Sequence, residues 1–173
     1  DARRLPFADA AMDAVLLMGP LYHLPEGEDR RRALSEARRV LVPGGVLVAA
    51  AISRFASALS GLTLRLAGDS RFVGMRDRDI ADGRHVNDTD VLDYFTTAYM
   101  HRPDDLRAEL EAGGFGRIEM LGVEGPGWML PDFDAHWEDA TLRHGLLDVA
   151  RALEAETSIQ GASAHLLAIG RRG

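Results

Sequence analysis

Histidine is the side chain that takes or gives a proton near neutral pH, and this chain of 173 residues has six. His23 closes the run Gly-Pro-Leu-Tyr-His at residues 19–23, directly behind an apolar stretch. There it could act as a base, orient a ligand, or serve structure, while Tyr22 could supply a hydroxyl or pack beside a reacting group. Tyr99 and His101 stand just ahead of Pro103; the pair could line a substrate pocket or be packing residues. Glu124 and Trp128 bracket Gly125-Pro126-Gly127. A carboxylate beside an aromatic could recognise a cationic or polar substrate, and the plainer reading is an interdomain or lid-packing Trp. His136 and His144 lie eight apart with no third ligand nearby, which speaks against a metal site. His165 falls inside the last apolar run and reads as a satisfied sheet-face residue. The chain has no cysteine, so disulfides and thiolate ligands are excluded.

The elements that must position these residues follow from hydrophobic pattern. Residues 12–18 are continuously apolar apart from Asp13, which suits a parallel strand covered on both faces. Gly19-Pro20 stops it. Acidic residues after Pro25 suit a helix N-terminus, and Ala33, Leu34, Ala37, Val40 and Leu41 follow at helical spacing. Pro43-Gly44-Gly45 then ends the helix ahead of a second buried run at residues 46–52. Strand, helix and strand in this order predict a right-handed βαβ unit and a parallel sheet. Residues 53–102 are mixed: a Leu-rich helix interrupted by Gly61 and Gly68, a polar turn-rich stretch over residues 77–90, and a short turn near Tyr94. An excursion of that size could cap a substrate site. Pro103, Asp104 and Asp105 open a helix that Gly113-Gly114 closes. A strand over residues 115–123, one or two helices over 131–156 with Gly145 as a possible break, and a last strand over 164–169 complete the pattern, with Arg171 and Arg172 as a frayed end.

Two stretches carry a family resemblance. Asp1-Ala2-Arg3-Arg4-Leu5-Pro6-Phe7-Ala8-Asp9 followed by Met12-Asp13-Ala14-Val15 resembles the segment around the third and fourth strands of class I S-adenosylmethionine-dependent methyltransferases. Glu36-Ala37-Arg38-Arg39-Val40-Leu41-Val42-Pro43-Gly44-Gly45 resembles the helix and turn before their fifth strand. The Gly-Pro-Leu-Tyr-His element is similar to one in bacterial small-molecule methyltransferases. The resemblance implies an α/β, Rossmann-like methyltransferase fold, here its C-terminal portion, with a mostly parallel sheet, an antiparallel last strand and a helical lid. It implies one domain over residues 1–173, N-terminally incomplete, with residues 53–102 as the lid. The Gly-rich turn that grips the cofactor's far end in that family has no counterpart in these residues. S-adenosylmethionine is the implied cofactor, with Asp1, Ala2 and Arg3 at its adenine and Met18, Gly19 and Pro20 along the strand end. Tyr22 and His23 would face the transferred methyl group and the acceptor. A generic dinucleotide-fold dehydrogenase fits the Leu5-Pro6-Phe7 and Pro43-Gly44-Gly45 wording less well.

The expected activity is methyl transfer to a small molecule, in a full-length or complemented protein; the alternative is a non-catalytic, methyltransferase-like subunit that binds a partner. A net charge of −7 disfavours a nucleic-acid partner. The absence of a long apolar run disfavours a membrane span, and the expected location is cytoplasmic. With the preceding strands missing, residues 12–18 become an apolar edge that could pair with a second copy or a partner chain.

Overall fold

The computed structural model describes residues 1–173, the side chain of Asp93 excepted. The predicted βαβ unit is present. Strand β1 (Met12–Leu17) leads through a single helical turn α1 (Pro20–His23) and helix α2 (Gly27–Val40) to β2 (Leu41–Ser53), which pairs parallel with β1. Glu28 and Asp29 lie in the first turn of α2 and Arg38 and Arg39 in its last, so both ends complement the helix dipole. The face carrying Ala33, Leu34, Ala37 and Val40 is buried.

The turn ahead of β2 departs from expectation. Val42 to Gly45 do not separate helix from strand but form an irregularity within β2, where the register against β1 jumps between Met12 and Ala14. Gly45 is required there, since a Cβ would meet the Val42 carbonyl oxygen at 2.9 Å and that of Asp13 at 3.1 Å.

Helices α3 (Ala56–Thr63) and α4 (Ser70–Asp82) follow, then the two-residue strand β3 (Arg84–His85) and β4 (Ala98–His101). Part of the stretch that reads as polar turn is therefore helix. Asp69 caps α4 by accepting from Arg71 N and Phe72 N, and Gly83 ends it in the left-handed conformation. Local caps decided this stretch, where apolar periodicity was weak. Helix α5 (Pro103–Ala112) precedes β5 (Phe115–Gly122), and α6 (Phe133–Glu138) and α7 (Ala140–Leu153) precede β6 (His165–Arg172). The break between α6 and α7 falls at Asp139, whose carboxylate caps α7. Gly145 lies within α7.

The strand order is β3-β4-β2-β6-β5, with β1 also on β2. At Ile52, β2 has β6 on one side and β4 on the other, so β4 continues the line that β1 leaves. The pairings make β1, β2, β4 and β5 point one way and β3 and β6 the other. Strand β6 is longer than predicted. Arg171 and Arg172 pair with Val46 and Phe115, and Arg172 also donates to the Leu41 carbonyl.

The core lies between the sheet and helices α2 and α5, where Leu34, Leu47, Leu106, Leu110 and Leu166 are fully buried. Each such side chain contributes about 1.5–3 kcal/mol by leaving water. The other sheet face is less covered. Val46, Val48 and Ala50 alternate as half-buried residues with the buried Leu47, Ala49 and Ala51. On β1, Leu16 is 66% exposed, so the two-sided burial expected for that strand is not found.

Candidate functional site

Because β1, β2, β4 and β5 run parallel, their carboxyl ends share one rim. Residues 18–23 leave β1 there, Ser53 to Ala56 leave β2, Glu124 to Trp128 leave β5, and β6 starts there at His165. A cavity of about 280 Å³ opens at this rim. Its floor is Ile52 and Met100, adjacent in the sheet. Helices α3 and α4 contribute Ala56, Ser57, Ser60 and Phe72; Tyr94 and Phe95 wall it, and Trp128, Ala164 and His165 close the far side. The lining is mostly apolar, and two imidazoles, His85 and His165, break it.

The two imidazoles are held differently. His165 Nδ1 lies 2.5 Å from Glu124 Oε1, and the other carboxylate oxygen accepts the backbone N–H of His165 at 2.9 Å. Glu124 is steadied in turn by Ser163, whose Oγ accepts the backbone N–H groups of Glu124 and Gly125. A carboxylate at Nδ1 fixes the proton on that nitrogen. The hydrogen bond to Glu124 raises the pKa of His165 against the opposing effect of burial. Burial works against ionisation of Glu124, but the hydrogen bonds from His165 outweigh it and lower its pKa. His85 has both nitrogens engaged: Nδ1 with Asp79 Oδ2 at 2.8 Å and Nε2 with the Tyr94 carbonyl at 2.6 Å. Both partners are acceptors, so the arrangement is that of an imidazolium donating twice. Burial opposes that charge, and the Asp79 hydrogen bond and charge overcome it, so the pKa of His85 is raised.

Trp128 lines the cavity with its ring fixed by a hydrogen bond from Nε1 to the Ala162 carbonyl at 2.9 Å. Tyr22 packs against the cluster of Ile52, Ala56, Ala98 and Met100, three of which line the cavity, and its hydroxyl donates to the Met18 carbonyl. His23 is exposed and its ring lies 4.7 Å from that of Tyr22. Neither lines the cavity.

Tyr99 and His101 face away from it. Alternation along β4 sends Met100 into the cavity and its two neighbours to the opposite face. There the Arg30 guanidinium stacks 3.5 Å over the Tyr99 ring, and His101 Nε2 lies 3.3 Å from Glu109. The four residues form a buried brace between α2, β4 and α5, and their surroundings are structural. His136 pairs with Asp132 at the N-cap of α6, and His144 with Asp148 on α7. Among the described residues no cluster could hold a metal ion.

The segment ahead of β1 lies along α2. Arg3 bonds Asp29 in the first turn of the helix, the Leu5 N–H donates to Glu36, and Arg39 in the last turn holds the Phe7 carbonyl and Asp9. Asp1 therefore sits beside the start of α2, on the same side of the molecule as the rim. The hydrogen bond from Arg39, together with the Leu5 N–H, brings Glu36 down to about 2. Asp1 presents an exposed carboxylate bonded by Arg3, Ala2 packs on the core, and Met18 is exposed at the end of β1. The Asp1 carboxylate is a hydrogen-bond acceptor and Met18 an apolar side chain open to solvent.

Residues 1–49 match the family model described as a methyltransferase domain. The chain is 44% identical over 48 residues to the proteins named "Probable tRNA methyltransferase 9B" of cattle and human, a match that covers 28% of this chain and 11% of those proteins. The chain thus spans a small part of the curated relatives it matches. Among solved structures, a methyltransferase from Methanosarcina mazei superposes with a TM-score of 0.57 at 16% identity, over 99% of this chain and 64% of that one. One from Mesorhizobium loti superposes with a TM-score of 0.55 at 20% identity, over 99% and 67%. The fold is that of class I S-adenosylmethionine-dependent methyltransferases. In such an α/β fold ligands bind outside the carboxyl ends of the strands, and the cavity and Met18 lie at that rim. Reasoning from sequence misses His85 and the His165–Glu124 pair in this methyltransferase fold. The contact joins residues 41 apart, and its one signal was Glu124 placed at the end of a strand.

Proposed function

We propose that this protein transfers a methyl group from S-adenosylmethionine to a small-molecule acceptor seated in the rim cavity. The observation that carries the reading is the opening of an apolar cavity at the carboxyl ends of β2 and β4, beside the segment matched by the methyltransferase model. Asp1, Ala2, Arg3, Met18, Gly19 and Pro20 would hold the cofactor. Asp1 would accept from the adenine amino group and Met18 would pack against the ring. When bound, the cofactor supplies the activated methyl group, so little covalent chemistry is left to the protein.

The chain's own task is alignment and exclusion of water. Ile52 and Met100, which floor the cavity, also pack with Tyr22, so the cavity and the segment carrying Tyr22 and His23 share these side chains. Alignment of two reactants can supply about 7–11 kcal/mol of a barrier. Tyr22 and His23, on α1, would border the methyl-transfer side. Helices α3 and α4, with Tyr94 and Phe95, act as the cap over the acceptor; Trp128 closes its far side, with Glu124 behind His165.

Calorimetric titration of the purified protein with S-adenosylmethionine tests the reading. Binding in the micromolar range is expected, with displacement by S-adenosylhomocysteine. An absence of heat at millimolar cofactor refutes it for this chain.

The outer edge of β1 supports an accompanying proposal of association. Met12–Leu17 pairs only with β2 among the described residues, and Leu16 is exposed beside that edge. Such an edge recruits another strand, here from a second copy. Sedimentation velocity over a concentration series should reveal a dimer, and a monomer at every concentration refutes it.

A further inference from the structure

We propose that His165 is the base that removes the acceptor's proton, with Glu124 as its positioning residue, and that the acceptor is a neutral, apolar, ring-sized molecule carrying an ionisable hydroxyl. The inference rests on the methyl-transfer reading of the same cavity.

The assignment follows from which nitrogens are free. His85 has both ring nitrogens committed, to Asp79 and to the Tyr94 carbonyl. His23 does not line the cavity. His165 lines it, gives Nδ1–H to Glu124, and has no protein partner at Nε2 among the described residues. Its lone pair is therefore available at a cavity wall. Glu124 holds both the ring and the backbone of His165, which fixes where Nε2 stands.

The same two bonds define the acceptor. Glu124 does not line the cavity, and its carboxylate is turned to the ring and backbone N–H of His165. This argues against the cationic ligand that Glu124 beside Trp128 first suggests. Aliphatic amines are ammonium ions near neutral pH, so a neutral hydroxyl compound fits better than one of these. The walls agree. Phe72, Tyr94, Trp128 and Met100 offer ring faces and a thioether, which favour a flat apolar body. A phenol-like hydroxyl is the kind whose acidity an imidazole can match.

The step balances. The acceptor's O–H proton passes to Nε2, the oxygen takes the methyl group, and the electron pair of the broken sulfur–methyl bond stays on sulfur. The positive charge moves from sulfonium to imidazolium, which then gives its proton to water. The raised pKa of His165 suits this role. The groups that face it are Glu124 from the loop after β5, the uncharged Ile52 of β2 and Trp128, and His85 across the cavity.

The probe is 4-nitrophenol, whose phenolate absorbs visibly, titrated into the full chain with the cofactor left out. Wild type should bind it and hold it as phenolate at a pH below its midpoint in water. H165Q should bind with similar affinity but lower the bound phenolate fraction about tenfold, the effect of one pKa unit. E124Q should fall between them, with the His165 resonances in NMR titrating at lower pH than in wild type. Circular dichroism spectra matching wild type establish that each variant folds. Binding with an unchanged phenolate fraction in H165Q overturns the base assignment. No binding of the probe to wild type overturns the acceptor class and the base together. Failure of the methyl-transfer reading appears separately, in the cofactor titration, which H165Q should leave unaltered.

Discussion

Replacement of Glu109 by Gln should be among the most damaging changes of a single charge in this fold. Glu109 receives three hydrogen bonds from Arg30, at 2.8 to 3.0 Å, and faces His101 Nε2 at 3.3 Å. The Arg30 side chain is 5% exposed and that of Glu109 22%. Burial opposes ionisation of Glu109, but His101 and Arg30 overcome it and hold its pKa down at about 2, from 4.5. At 1.36 kcal/mol per pKa unit, that depression is worth about 3 kcal/mol at neutral pH. An independent estimate agrees, since removing one partner of a buried ion pair costs about 3–5 kcal/mol. Gln keeps one acceptor oxygen for Arg30, so the lower end applies. Urea unfolding of E109Q at pH 7 should show a loss of about 3 kcal/mol, and Tm should fall by about 6–12 °C for a domain of this size. The sign with pH is fixed. A carboxylate with a depressed folded pKa stabilises above its unfolded value and loses that stabilisation as pH falls from about 4.5 toward about 2. The gap between wild type and E109Q should close over that window. His101 adds to the same slope: burial lowers its pKa against the pull of Glu109, so the unfolded chain binds its proton first as pH drops below about 6.5. A loss under about 1 kcal/mol, or one that does not change with pH, would refute the buried-brace account.

Two further outcomes follow from particular contacts. Gly83 ends α4 with φ of +81°, and a Cβ there would lie 2.3 Å from the Met100 carbonyl oxygen and 2.7 Å from Arg54. G83A should therefore lower stability by about 1–3 kcal/mol in urea unfolding, and a neutral result would mean that the chain relaxes around the contact. His85 has the opposite pH sign to His101. Its folded pKa is raised, so its stabilisation is complete below the unfolded value and fades as pH rises through the folded one. Asp79 and the Tyr94 carbonyl face it, with Arg78 opposing its charge. After correction for the intrinsic pH dependence of exchange, amide hydrogen exchange over α4 and residues 84–94 should speed up on the alkaline side. Uniform protection from pH 6 to 9, or the same change in H85N, would count against a doubly donating imidazolium.

The sequence by itself determined the βαβ unit. Apolar runs at residues 12–18 and 46–52, a helix between them with acidic residues in its first turn, and Pro and Gly at its end leave little local freedom. It also determined the resemblance to class I methyltransferases, because those positions carry family wording that survives without a structure. Local signals misled where one residue can do two jobs. Pro43-Gly44-Gly45 reads as a terminator but serves as a bulge, because Gly44 and Gly45 let β2 kink against β1 and keep pairing. Tyr99 and His101 read equally as pocket wall or as packing, and the two-residue period of β4 turns them to the brace. Only the tertiary structure decided what stands in the cavity. His165 pairs with Glu124 across 41 residues and His85 with the carbonyl of Tyr94 inside the segment between β2 and β4. The physical reason is that helical and strand periods are written in near neighbours, whereas the free nitrogen of an imidazole depends on which distant acceptor the fold brings to the other one.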